Sequence, residues 1–233
     1  MITVRPTVLE GHGIRLEPLT EDHHDALVAV GRRFYARGWV MGTSGNFSAV
    51  VSENPLRLAI TASLLDKGAL DPSHILHIGE DGMVVSGTGR PSAETLLHLE
   101  IVRRRGACAV LHTHSVWGTV LSDSHGPDGG LGIEGYEMLK GLDGVCTHAH
   151  REWVPIVAND QDMTRLARVV GETLDQHPTA HAILLHRHGL YTWGASLAEA
   201  VRHVEILEFM FETIGRTATY RSRGGHHGTA QDS

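Results

Sequence analysis

The chain has 233 residues, 41% hydrophobic and 20% charged, with a formal net charge of −7 and a pI near 6.2. That suffices for one sizeable core, and the acidic balance argues against a nucleic-acid partner or a polybasic membrane-binding surface. Two cysteines, Cys108 and Cys146, are too few for a disulfide framework, no apolar run reaches a membrane span, and the first residues lack a signal peptide's apolar core, so a cytoplasmic protein is expected.

Residues 1–19 are mixed in character and read as a loosely ordered arm. Thr20 can cap a helix with Glu21 and Asp22 in its first turn, Leu27, Val30 and Phe34 as its core stripe, and Gly38 at its end. His23 and His24 on that helix read as solvent-facing. A small polar loop, 41–46, precedes a β-like run at 47–51. A turn at 52–55 leads to a second strand at 56–61, and segments 74–78 and 83–86 read as two more. Residues 86–91 form another Gly-rich polar connection. Several such loops on one side of a sheet can make a nest of backbone N–H groups and hydroxyls for an anion.

Ser92 reads as the cap of a helix over 93–105, with Glu94 in its first turn, where the helix dipole favours a carboxylate. Arg103, Arg104 and Arg105 suit its other end. Residues 107–110 read as a buried strand running into Leu111-His112-Thr113-His114. Side chains alternate along a strand, so His112 and His114 point the same way. Two imidazoles on one face at a strand end can grip one metal ion, and a catalytic zinc takes three protein ligands plus an open position.

A helix is expected over 116–121, a flexible Gly- and Asp-rich loop over 122–131, and a short helical stretch near 134–141 carrying Glu134 and Glu137. A strand follows at 154–157, then a helix from Asp160 or Asp162 to about 176. A strand at 182–185 leads into His186-Arg187-His188-Gly189. Ser196 caps a last helix, 197–214, striped by Ala200, Val204, Leu207 and Phe211. From Thr217 the Gly-, Ser- and His-rich tail reads as frayed, with no role for His226 or His227. A third metal ligand has several sources. His186 and His188 form a second same-face pair at a strand end, and His148 and His150 a third pair in loop-like sequence. Spacing alone does not choose among them.

The segments TSGN (43–46), ITAS…DKG (60–68), RPSAETLLHLEIVRRRGACAVLHTHS (90–115), EGYEMLKG (134–141), WVPIVANDQD (153–162) and RHGLYTWG (187–194) resemble the class II aldolase/adducin-like family, from about residue 20 to 215. EGYEMLKG with HGLYTWG resembles the family branch that dehydrates 5-methylthioribulose 1-phosphate to 5-methylthio-2,3-diketopentyl phosphate in methionine salvage. The resemblance implies an α/β fold of three layers, α/β/α, with a central, mostly antiparallel sheet flanked by helices. It places a catalytic domain at 20–216 between an N-terminal arm, 1–19, and a flexible tail, 217–233.

It further implies one Zn²⁺ per subunit on His112, His114 and His188, with His186 a neighbour and not a ligand. Glu137 matches the acid/base glutamate of the dehydratase branch. Glu94 matches a glutamate that contacts the metal or moves a proton in aldolase members. Thr43, Ser44, Gly45, Asn46, Ser63 and Ser92 match phosphate-binding loops, and Lys67 adds charge there. The implied partners are a small sugar phosphate and further copies of the chain in a homotetramer with sites near subunit boundaries. One position departs from the pattern: relatives usually have glycine after the ITAS serine, where this chain has Leu64, a residue that needs a side-chain exit and disfavours positive φ. The same zinc and phosphate sites also suit a class II aldolase or epimerase, where Glu94 would matter more than Glu137. A non-catalytic adducin-like scaffold would not be expected to keep all three histidines.

Overall fold

The run Ala182–Leu185 is buried along its whole length, and its two faces enter different cores. Ile183 and Leu185 pack into one apolar cluster, Ala182 and Leu184 into another. A strand with apolar residues on both faces must be covered on both sides. The computed structural model, which describes residues 9–11, 14–16 and 21–224, meets that demand with a sheet between two helix layers.

A small antiparallel pair, β1 (Leu9–Gly11) and β2 (Ile14–Leu16), precedes α1 (Glu21–Ala36). There follow β3 (Asn46–Glu53), β4 (Leu56–Thr61), β5 (Ile75–Gly79), β6 (Val84–Ser86), α2 (Thr95–Arg105), β7 (Ala109–Thr113) and α3 (Val116–His125). The second half carries β8 (Gly130–Glu134), β9 (Arg151–Val157), α4 (Met163–Gln176), β10 (Ala182–Leu185), β11 (Leu190–Gly194) and α5 (Leu197–Gly224). The nine strands β3–β11 form one sheet in the order β6-β5-β4-β3-β7-β11-β10-β9-β8, antiparallel except for the β9–β10 pair. Helices α2 and α4 cover one face, over Leu58, Val110, Ile183 and Tyr191. Helices α1, α3 and α5 cover the other, over Ala49, Leu111, Val154 and Leu184. The expected three-layer α/β architecture is the observed one.

Three local expectations change. The stretch 122–131 is not a flexible loop: α3 runs to His125 and β8 begins at Gly130, so Glu134 ends a strand and only Glu137–Gly141 is helical, as a 3₁₀ turn. Gly130 lies beneath the Trp153 ring with no room for a Cβ, so glycine here serves packing. The last helix does not stop at 214 but continues to Gly224, past the proposed start of the tail. Gly215 within it lies against the Trp117 ring, where a Cβ would collide. Helix α2 begins at Thr95, and Ser92 does not cap it but accepts a bond from the Glu94 backbone N–H in the preceding turn. The arm beyond β1 and β2, together with His226 and His227, lies outside the described residues.

Strand directions sort the loops between two edges of the sheet. Asn46 pairs with His112, Thr61 with Ile75, and Ser86 with His77. The polar loops 41–46, 61–67 and 86–94 therefore open on the edge where β7 and β10 end. Glu134 pairs with Arg151, the first residue of β9, so the 134–150 connection lies at the opposite edge.

Behind β7, α5 contributes a buried carboxyl. Glu208 is 3% exposed and accepts a bond from Thr113 Oγ1 at 2.8 Å. Burial pushes it up to about 7, against the hydrogen bonds of Ser115 and Thr113. A raised carboxyl contributes stability that is complete below its unfolded range and lost as pH rises through about 7. Glu208→Gln should therefore gain on the parent protein by about 2 kcal/mol between pH 5 and pH 8, since each shifted unit is worth ~1.4 kcal/mol. Urea unfolding of both proteins at the two pH values measures this, and a gap that does not change with pH would refute it.

Candidate metal centre

The site grows from the end of β7. His112 is fully buried and pairs with Tyr191 on β11, its ring stacked on the tyrosine at 3.9 Å and 15°. Its Nδ1 donates to the Leu190 carbonyl at 2.9 Å. A carbonyl only accepts, so Nδ1 carries the proton and Nε2 keeps its lone pair. Two residues on, His114 returns to the same face, as strand alternation requires, with its Nε2 2.7 Å from His112 Nε2.

His188 arrives from the tight turn between β10 and β11, closed by Leu185 N–H to Gly189 O at 2.9 Å and His188 N–H to Leu185 O at 3.1 Å. Its Nε2 lies 3.2 Å from His114 Nε2. Arg187 takes φ +55° and sends its guanidinium out to Asp123 at 2.7 Å. The His186 ring also turns toward Asp123, packed on Gly126, away from the trio. Of the alternatives spacing left open, His188 meets His112 and His114; His186, His148 and His150 do not. Two glycines permit the approach. A Cβ on Gly45, which has φ +73°, would sit 2.8 Å from the His112 carbonyl, and one on Gly189 would overlap the Thr113 carbonyl.

Glu94 stands just before α2, its Oε1 3.1 Å from His188 Nε2 and its Oε2 3.6 Å from His112 Nε2. It makes no capping bond, so the dipole is not its principal partner. Instead the Asn46 amide donates to it at 2.6 Å and to Ser92 Oγ at 3.1 Å. Asn46 Oδ1 in turn meets the buried His98, whose other nitrogen meets Ser48 Oγ at 2.7 Å. Ser48, His98 and Asn46 thus aim the Glu94 carboxylate from behind. His98 and Ser48 escape a reading of the sequence because they lie in a helix and a strand distant along the chain.

Burial opposes ionisation of Glu94, but the attraction of His112, the His188 hydrogen bond and the Asn46 amide hold it well below the usual carboxylate range. Burial also lowers His112 to about 4 and His114 to about 3, so both rings are neutral at physiological pH. Three imidazoles facing a carboxylate, all donor atoms within 4.8 Å of one another, suit a zinc-like transition metal far better than magnesium or calcium. The donor set therefore fits the expected ion.

The polar loops converge beside these groups. Lys67 is 1% exposed, and its ammonium donates to Leu65 O at 2.8 Å and Thr43 O at 3.3 Å, joining two of them. Burial lowers it to about 8 despite the attraction of Asp66 and Glu94, leaving it charged at neutral pH. Ser63 N–H donates to Arg90 O at 2.9 Å, which ties in the third loop. Ser44 Oγ bonds to Met41 O at 2.7 Å within its own loop. Leu64 holds φ +63° with its side chain 69% exposed. The exit it needs exists, and the backbone keeps the left-handed conformation that glycine would take more easily.

Glu137 does not join this group within one chain. It lies beyond β8, at the opposite edge and four strand steps from β7, roughly 20 Å across the sheet at ~4.8 Å per step. Its side chain is 71% exposed and paired with Lys140.

Known proteins resemble this chain over most of its length. The model of the class II aldolase and adducin N-terminal domain matches residues 25–214. The chain is 48% identical over 187 residues to methylthioribulose-1-phosphate dehydratase of Methylococcus capsulatus, covering 80% of this chain and 89% of that one. It is 42% identical over 188 residues to the protein of that name from Sorangium cellulosum, covering 80% and 88%. Among solved structures, L-fuculose-1-phosphate aldolase of Thermus thermophilus superposes with a TM-score of 0.68 at 25% identity, covering 87% of this chain and 99% of that one.

The glycine constraint can be tested. Gly189→Ala should cost about 2–4 kcal/mol in thermal unfolding, because the clash is with backbone and no side chain can yield. An unchanged melting temperature would show that the turn is not held where the structure has it.

Proposed function

The chain belongs to the class II aldolase and adducin family, and on that premise we propose that it catalyses the dehydration of 5-methylthioribulose 1-phosphate to 5-methylthio-2,3-diketopentyl phosphate in methionine salvage. It is a lyase with one catalytic zinc ion at the three-histidine cluster of each subunit, acting in the cytoplasm as a homotetramer. The observation that carries this reading is a three-histidine, one-glutamate cluster beside converging polar loops, in a chain whose relatives at 42–48% identity bear the dehydratase name.

His112, His114 and His188 hold the ion, whose contribution when bound is Lewis-acid polarisation of the substrate ketone. Thr43, Ser44, Gly45, Asn46, Ser63 and Ser92 hold the phosphate, with the Lys67 ammonium beneath them, and so fix the far end of the sugar. The proton on carbon 3 is acidified by the neighbouring ketone. A carboxylate takes it, the hydroxyl on carbon 4 departs with that proton as water, and the enol left across carbons 3 and 4 shifts its hydroxyl proton to carbon 4 to give the diketone. Glu137 carries protons in this sequence. Because it lies at the far edge of its own sheet, it reaches the metal site of a neighbouring copy, which accounts for the need to assemble. Glu94 stays ionised beside the histidines and orients the reacting oxygens. Its position also favours aldol cleavage as the rival activity, since there it would be the proton-transfer group.

Dehydration of 5-methylthioribulose 1-phosphate should be lost on chelation and restored by Zn²⁺. Glu137→Gln and His114→Ala should each fall at least a hundredfold in turnover, in line with loss of a general acid/base or of a metal ligand. Co-expressed, the two variants should recover roughly a quarter of parent activity, the share of sites that pair an intact histidine set with an intact glutamate in a symmetric assembly. No recovery on mixing would refute the shared site. Carbon–carbon cleavage without dehydration would replace the dehydratase reading with the aldolase one.

A further inference from the structure

A second set of ligand atoms lies at the opposite edge of the sheet. Glu152, near the start of β9, is 1% exposed, and its Oε2 lies 2.8 Å from His150 Nε2 and 3.0 Å from His181 Nδ1. Its Oε1 accepts the His181 backbone N–H at 3.0 Å, so the carboxylate is oriented from both ends. The three donor atoms lie within 4.8 Å of one another. Among the described residues the ion pairs of Glu152 are with these two imidazoles alone. A buried carboxylate is costly without a positive partner; among the described residues no lysine or arginine pairs with Glu152, and against burial its own hydrogen bond pushes the His181 imidazole up, so its compensation rests on these two rings.

The surroundings are those of a ligating histidine. His181 Nε2 lies 2.9 Å from the Asp143 carbonyl, which can only accept, so that nitrogen carries a proton and Nδ1 is turned to Glu152. An imidazole whose far nitrogen donates to a backbone carbonyl is how proteins fix the orientation of a metal ligand. The Asp143 backbone N–H is in turn held by His203 Nε2 at 3.1 Å. His150 and His181 line a cavity of about 460 Å³ together with Val145, Trp193 and His203, with space for water to complete a coordination shell, while Glu152 lies buried behind them.

We propose that His150, Glu152 and His181 form a second divalent-metal site, selective for zinc or a similar imidazole-preferring ion and separate from the three-histidine cluster. Two imidazoles and one carboxylate with an open position is a recurrent zinc ligand set. The inference does not rest on the dehydratase reading. An ion there would tie the 142–150 connection to the starts of β9 and β10, and through Asp143 would steady the segment that follows Glu137.

The test counts zinc per chain by mass spectrometry, after stripping the protein with a chelator, reloading it with Zn²⁺ and desalting. The full chain is used with His226→Ala and His227→Ala, so that the tail contributes no ligand. His150→Ala and Glu152→Gln should each bind one ion fewer than this parent, whereas His114→Ala should lose the other ion and keep this one. Circular dichroism checks folding. Should Glu152→Gln misfold, His150→Ala, at a side chain 27% exposed, carries the result. Equal zinc content in the parent and in the folded variants would overturn the proposal.

Discussion

One hydrogen bond between neighbouring strands organises the centre of this molecule. The Leu190 carbonyl on β11 accepts the His112 Nδ1 proton and so decides which nitrogen of His112 faces outward. The bond exists because β7 and β11 pair with Tyr191 opposite His112. The same pairing brings the turn before β11, and with it His188, beside His114. Register, tautomer and the convergence of three imidazoles are therefore one constraint. A slip of one residue between these strands would turn His112 to the other face.

The nine-stranded sheet then separates two chemistries. One edge gathers three imidazoles, the Glu94 carboxylate, the Lys67 ammonium and three polar loops. The other holds Glu137 in the open and buries Glu152 between two histidines. Helix α2 joins the first set from one face through Glu94 and His98, while α5 supports β7 from the other through Glu208. The rigid part of the site is thus built from strand ends braced on both faces, and the mobile substrate is left to the loops.

How much of this the sequence discloses depends on the range of the interaction. Alternation along a strand made the common face of His112 and His114 legible, because period two is a local property. The choice of His188 over His186 was not, since it follows from the left-handed turn at Arg187 and from β-pairing across the chain. Glu94 had a sufficient local explanation in the helix dipole, yet its partners are Asn46 and the histidines. The glycines of 122–131, Gly130 among them, suggested a loop, because glycine that admits an aromatic ring looks in sequence like glycine that frees the backbone. Resemblance supplied roles for Glu137 and the phosphate loops, but nothing in the residues themselves told on which edge of the sheet Glu137 would stand.

The separation of His112 and His188 along the chain has a kinetic consequence. The 75 intervening residues include α3, β8, β9, α4 and β10, so the cluster closes only after β7 and β11 have paired across that span. Such non-local pairings form late, because loop-closure entropy must be overcome before they contribute. An ion that needs all three imidazoles would then meet them mainly in the native state. It would retard unfolding while leaving the folding rate almost untouched, as interactions absent from the transition state do. In this chain the metal would act as a latch on a finished structure and not as a nucleus for it.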